Sequence, residues 1–248
     1  MILVFRTFED LSRAAAEIFA AAAWQSVKER GRFCVALSGG RSPRKVFRLL
    51  ARPAYSRRLP WRKTHVFWAD ERLVPYQSPL SNAGLAERLL LRHVPIPKDH
   101  VHRMPTNRPA RQAAAEYEAV LGRFFRGKAP RFDLIFLGLG ENGHTASLFP
   151  RTRALFEKKR WVAPVDRRAE GFRRLTLTAP VLSRGREVVF IVYGAGKAAA
   201  LSRTVAGPRR PASTPAQLVR PAAGRLLWLV DGPASALLTD CELERGAQ

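Results

Sequence analysis

A chain of 248 residues, 46% of them hydrophobic, can bury a sizeable core, which excludes a peptide or a disordered tail. Its 43 Lys and Arg against 20 Asp and Glu give a formal charge of +23, and only eight of the basic residues are Lys. Such a charge steers anions toward the protein without choosing among nucleic acid, membrane surface and phosphorylated metabolite. The basic residues are scattered from Arg6 to Arg245, and no run reaches five like charges. The densest stretch, 151–174, holds nine basic residues against Glu157, Asp166 and Glu170. A nucleic-acid binder gathers its basic residues into a stripe or tail, so nucleic acid is not an expected partner.

In chain order, β-branched and aromatic runs predict strands over 2–5, 33–37, 65–69, 132–137, 175–178, 188–193 and 226–230. Between them, helical patterns cover 9–30, 43–50, 82–91, 108–125, 197–205 and 233–241. Near-continuous apolar strands indicate a sheet buried on both faces, and the alternation with helices indicates an α/β fold with a largely parallel sheet. With no repeat and no low-complexity linker, a single domain over 1–248 is expected, with a less regular subregion around 145–180.

Two cysteines, Cys34 in an apolar run and Cys241 near the end, are too few for a disulfide scaffold. The N-terminus lacks a basic leader, and the longest apolar runs, 18–24 and 188–195, are far short of a spanning helix. A cytoplasmic protein with no membrane partner is the expectation.

In open α/β sheets ligands bind beyond the carboxyl ends of the strands, and four such loops carry chemistry. The first is Ser38-Gly39-Gly40-Arg41-Ser42-Pro43, in which two glycines, a hydroxyl and a proline at a helix start suit a phosphate cradle. A tight turn with a capping serine accounts for the same residues. The second, Asp70-Glu71-Arg72, places two carboxylates and a guanidinium together, fit for base chemistry, hydroxyl binding or an anion grip, or else for a surface ion pair.

The third loop, 138–150, contains Gly138-Leu139-Gly140-Glu141-Asn142-Gly143-His144, formally G-x-G-x-x-G. Pro150 leaves any helix begun at His144 too short for a dinucleotide crossover, and no acidic strand end follows at the expected distance. His144 is instead a candidate general base, or a histidine that caps the loop. In the fourth, Gly194-Ala195-Gly196-Lys197, a Walker A reading fails because Ile191 and Ala198 occupy required Gly and Ser/Thr positions. Lys197 remains a cation at a helix start, disfavoured by the helix dipole unless an anion binds there. No G-x-S-x-G elbow and no H-E-x-x-H are present, and His100-x-His102 lies in a polar loop, so no metal site and no cofactor are expected.

Taken in this order and spacing, the loops resemble the 6-phosphogluconolactonase family of the glucosamine-6-phosphate isomerase/6-phosphogluconolactonase superfamily. The likeness is carried by Leu37-Ser38-Gly39-Gly40-Arg41-Ser42-Pro43, by Trp68-Ala69-Asp70-Glu71-Arg72-Leu73-Val74-Pro75 with Ser81-Asn82, and by 138–150. Arg174-Leu175-Thr176-Leu177-Thr178, Lys197 and Trp228-Leu229-Val230-Asp231 complete it. The resemblance implies a modified Rossmann-like α/β fold of the NagB/RpiA/CoA transferase-like kind, a largely parallel sheet flanked by helices. It implies hydrolysis of 6-phospho-D-glucono-1,5-lactone in the oxidative pentose phosphate pathway.

Carried onto this chain, the resemblance gives Gly39, Gly40, Ser42, Arg72, Arg174 and Lys197 the phosphate. It makes His144 the base that activates water, Asp70 the residue that orients hydroxyls or that water, and Asn142 the neighbour of the base. The partner is a phosphorylated sugar lactone, to a monomer or a homodimer. Three positions depart from the family pattern: Asn142 stands for the usual aspartate, Ser78 for a common histidine and Ser42 for threonine. A neutral amide supports a basic imidazole less than a carboxylate does, so a slower enzyme is expected. The sister deaminases need a carboxylate soon after the histidine, where this chain has Thr145-Ala146-Ser147-Leu148-Phe149-Pro150. A non-catalytic sugar-phosphate-binding or nucleic-acid-associated protein is the alternative of a different class.

Overall fold

The computed structural model describes residues 1–167 and 171–239; Glu170 and Cys241 lie outside them. In chain order the elements are β1 (Ile2–Phe5), α1 (Phe8–Arg30), β2 (Phe33–Leu37), α2 (Pro43–Leu50), α3 (Pro53–Ser56), β3 (Thr64–Trp68), β4 (Asp70–Arg72), α4 (Asn82–Leu89), α5 (Ala110–Phe124) and β5 (Leu134–Gly138). They continue with β6 (Val162–Arg167), β7 (Phe172–Leu177), α6 (Ala179–Leu182), β8 (Glu187–Val192), α7 (Ala198–Val205), β9 (Arg225–Asp231) and α8 (Gly232–Ser235).

Six strands form a parallel sheet in the order β1-β9-β8-β5-β2-β3. Every residue of β2 and of β8 is buried, as a strand covered on both faces requires. The long helix α1 is delimited by its ends. Thr7 accepts a hydrogen bond from the Asp10 amide at the start, and Gly31, at φ 74°, closes the other end by donating to the Val27 carbonyl. Its buried residues, among them Leu11, Ala15, Phe19 and Ala23, face the sheet. The modified Rossmann-like, largely parallel sheet flanked by helices is thus the architecture of the chain.

The irregular stretch resolves into a second sheet. β4, β7 and β6 form a three-stranded antiparallel sheet, with Asp70 opposite Thr176, Glu71 opposite Leu175 and Arg72 opposite Arg174. Two expectations are corrected here. The expected strand at 175–178 is the end of β7 and belongs to this small sheet, and Val162–Arg167 is a further strand whose mixed polarity hid it. Asp70-Glu71-Arg72 is a strand and not a loop, and its carboxylates are buried instead of forming a surface pair.

Other ends differ by local chemistry. The segment expected to be helical from 197 begins with a 3-10 turn, Ala195–Lys197, before α7. The last helix stops at Ser235, and residues 240 and 241 of its expected span lie outside the described residues. Ser42 has helical backbone angles and makes no side-chain cap to α2, so the capping-serine reading fails.

Order reverses beside β2: the chain goes from β2 outward to β3, then back across to β5 and on to β8 and β9. Such a reversal opens a crevice at the carboxyl ends of β2 and β5. Among the described residues no helix is long and apolar enough to cross a membrane.

Candidate active site

The crevice is a cavity of about 540 Å³ lined by the loops after β2, β5 and β8 and by the buried ends of β4 and β7. Gly39, Gly40, Ser42, Asp70, Arg72, His144, Arg174 and Lys197 all face it, although they come from five separate segments. Asn142 is the exception. It is exposed, and acts on the cavity through its neighbour.

The loop after β5 holds His144 by its backbone. Gly140 donates to the His144 carbonyl at 2.8 Å, Gly143 donates to Gly140 at 2.9 Å, and Thr145 Oγ1 donates to the Gly138 carbonyl at 2.9 Å. Gly143 sits at φ 80°, a conformation that favours glycine. Gly140 is required for space instead, because a Cβ there would overlap Nδ1 and Cε1 of His144. The imidazole lies against Phe149, ring centres 4.3 Å apart. Asn142 Oδ1 accepts from the His144 backbone N–H at 3.2 Å and lies 2.6 Å from Nδ1. Since the backbone N–H can only donate, the atom facing it is the amide oxygen, and Nδ1 must carry the ring proton. The lone pair of the neutral imidazole is therefore on Nε2.

The small sheet supplies charge. Arg72 and Arg174 are cross-strand partners on one face, a like-charge pairing beside which the Asp70 carboxylate stands. The Arg174 side chain is nearly buried, with its guanidinium over the rings of Phe149 and Phe172 at 5.2 and 5.1 Å. Lys197 pairs with Glu141 at 3.5 Å across the cavity mouth. The loop after β2 is shaped by two different glycines: Gly40 at φ 84°, and Gly39, where a Cβ would overlap the Asn82 amide.

Asp70 is buried, and burial raises its carboxyl above the ordinary range, opposed by a hydrogen bond from Ser147 and by Arg174 and Arg72. Ser147 Oγ donates to Oδ2 at 2.6 Å and Asn82 Nδ2 to Oδ1 at 3.2 Å, while Arg174 Nη1 stands 4.0 Å away. Glu71, on the opposite face of β4, is also pushed up by burial, to about 7. It accepts from the backbone amides of Arg72, Asn82 and Ala83 and so holds the start of α4.

Sequence reasoning missed Asn82, Ser147, Glu141 and Tyr193 as site residues. Asn82 carried a signal, since Ser81 caps α4 and places the next residue at the helix start beside β4. Ser147 carried none, because its role depends on Ala146 adopting φ 47° and on β4 lying alongside. Asp231 anchors the fourth loop, accepting from the Gly194 amide at 2.9 Å and from Ala234 at 3.0 Å. His100 and His102 meet His65 near the amino end of β3, away from the cavity. Among the described residues no group of three or more His, Cys, Asp or Glu side chains is disposed to hold a metal ion.

Residues 6–228 match the family model described as glucosamine-6-phosphate isomerases/6-phosphogluconolactonase. The chain is 44% identical over 214 residues to a 6-phosphogluconolactonase of Synechocystis sp., covering 85% of this chain and 86% of that protein. It is 36% identical over 250 residues to a probable 6-phosphogluconolactonase of Arabidopsis thaliana, covering 96% and 93%. The solved 6-phosphogluconolactonase of Trypanosoma brucei superposes with a TM-score of 0.83 at 26% identity, covering 96% and 98%. With that match over most of its length, the chain belongs to the glucosamine-6-phosphate isomerase/6-phosphogluconolactonase family.

Proposed function

We propose that the chain hydrolyses 6-phospho-D-glucono-1,5-lactone to 6-phospho-D-gluconate, with His144 as the general base. The observation that carries this reading is the imidazole held by Asn142, with its lone pair on Nε2, in one cavity with Arg72, Arg174 and Lys197. Nε2 takes a proton from water as the oxygen attacks the lactone carbonyl, and returns it to the ring oxygen as the ester bond breaks. No covalent intermediate is required. The three cations, with the amides of Gly39 and Gly40 and the Ser42 hydroxyl, hold the phosphate, and glycine-loop amides support the tetrahedral oxyanion. Asp70 orients sugar hydroxyls or the attacking water.

The names of the relatives support the lactonase reading over the deaminase one. So does the position after His144, where Ser147 donates to Asp70 and no carboxylate follows before Glu157. The ligand is a small phosphorylated sugar lactone, in a cytoplasmic protein that needs no nucleic acid and no cofactor. The test is to generate the lactone in situ and follow its loss above spontaneous hydrolysis. Acceleration by the wild type, lost in His144→Ala, is expected; no acceleration by folded wild type overturns the activity, and full activity in His144→Ala overturns the base.

A further inference from the structure

Asp70 and Arg72 stand two residues apart on β4, so their side chains leave the same face of the strand. A carboxylate and a guanidinium on one face of a strand are placed for a charge-assisted hydrogen bond. Here the side chain of Asn82 intervenes. Its Nδ2 donates to Asp70 Oδ1 at 3.2 Å and to the Asp70 carbonyl at 2.9 Å, and its Oδ1 accepts from Arg72 Nη1 at 3.2 Å. Arg72 Nη1 also donates to the Leu80 carbonyl at 2.7 Å. Among the described residues the salt bridge of Asp70 is with Arg174, not with Arg72.

The amide is locked in this place. The Asn82 backbone N–H donates to Glu71 Oε1 at 2.8 Å, Ser81 Oγ caps α4 at Gly84 and donates to Glu71 Oε2, and Asn82 is 2% exposed. On its other side Gly39 leaves room that any Cβ would fill. A neutral group with a donor on one side and an acceptor on the other holds an acid and a base apart from each other.

We propose that Asn82 is a positioning residue that keeps Asp70 and Arg72 from pairing with each other, so that the Arg72 guanidinium stays directed to the substrate phosphate. Removing the amide lets Arg72 fold onto Asp70, and an arginine already paired to a carboxylate binds an external phosphate less well. The inference rests on the reading of Arg72 as a phosphate ligand.

The experiment measures hydrolysis of the phosphorylated lactone and of unphosphorylated glucono-1,5-lactone, with inorganic phosphate as inhibitor, in Asn82→Ala, Asn82→Asp, Arg72→Met and the Asn82→Ala/Arg72→Met double variant. Arg72→Met is expected to raise KM for the phosphorylated lactone and the phosphate inhibition constant about tenfold or more, the loss of one charge-assisted contact. Asn82→Ala raises both in the same direction, lowers kcat on the two lactones by a smaller and equal factor, and adds nothing to KM in the Arg72→Met background. Asn82→Asp sets an oxygen where Nδ2 faced the Asp70 carboxylate and carbonyl, so thermal midpoints are recorded beside the rates, and its KM also rises because the new carboxylate captures Arg72. An Asn82→Ala effect that multiplies fully with Arg72→Met, or an Asn82→Asp variant with wild-type KM, overturns the inference alone. An Arg72→Met variant with unchanged KM overturns the phosphate reading of Arg72 and the inference with it.

Discussion

Asn142 Oδ1 lies 2.6 Å from His144 Nδ1 and 3.2 Å from the His144 backbone nitrogen, so a single amide oxygen accepts both protons of the residue two positions on. An aspartate at 142 offers the same geometry with a negative charge. Hydrogen bonds to charged groups exceed neutral ones by about 1 kcal/mol. With His144 as the proposed base, stronger support of its imidazolium should therefore make Asn142→Asp faster in kcat by about fivefold. Asn142→Ala frees the ring to rotate and should be slower than wild type. Steady-state rates on the phosphorylated lactone decide it, and a slower Asn142→Asp contradicts the orienting role.

Gly140 makes a prediction that separates catalysis from stability. A Cβ at this position meets Nδ1 and Cε1 of His144, and the ring, which is only half-buried, can move aside. With His144 as the proposed base, Gly140→Ala should keep its thermal midpoint close to wild type while kcat falls about a hundredfold, the scale of a misplaced catalytic group. Paired melting and rate measurements test this; wild-type kcat would show that the ring need not lie where it does.

Ser147 donates to Asp70 at 2.6 Å and so favours the ionised carboxyl against the upward push of burial. Ser147→Ala removes that donor, raises the Asp70 carboxyl further and costs about 1–3 kcal/mol of stability for the partner left behind. If ionised Asp70 orients the substrate or water, the variant loses activity on the acid side and recovers it as pH rises. Profiles of kcat/KM against pH for the two proteins show this as a shift of the acid limb to higher pH, and superimposable limbs dismiss it.

His65, His100 and His102 pack together, with His65 Nδ1 3.2 Å from His102 Nε2 and the His65 and His100 rings 3.8 Å apart. Burial above all, then the neighbouring imidazoles, lowers His65 and His102 to about 4; Arg32 lowers His65 further, and Asp99 opposes the shift of both. Their folded values lie below the unfolded one near 6.5. The stability they contribute is therefore complete above about pH 6.5 and is lost as pH falls through about 4. The thermal midpoint should drop over that window by about 2–4 °C for each kcal/mol lost. The drop should be smaller in His102→Gln; equal drops in the two proteins rule the cluster out as the cause.

The main sheet and the three loops after β2, β5 and β8 were legible in consecutive residues alone. Apolar runs such as Phe33 to Leu37 and Val188 to Val192 report burial on both faces directly, because a strand with no polar side to show has no water beside it. Glycines, prolines and the histidine of the loops mark strand ends through local backbone and ring chemistry, which needs no partner to be legible. That is why eight of the nine residues assigned to the site line one cavity.

How those residues act on one another followed from the packing of segments distant in the chain. The antiparallel pairing that sets Arg72 opposite Arg174 joins strands about a hundred residues apart, and a short strand with the sequence Asp70-Glu71-Arg72 carries no hydrophobic alternation to announce it. Whether Asp70-Glu71-Arg72 was a surface pair or a buried site turned on what packed over it, here Asn82 and Ser147. Gly140 shows the same division: its sequence context suggests a turn, whereas its function is to leave space for the imidazole. Local chemistry is written in consecutive residues, but steric exclusion and charge pairing depend on distances between segments that only the folded chain brings together.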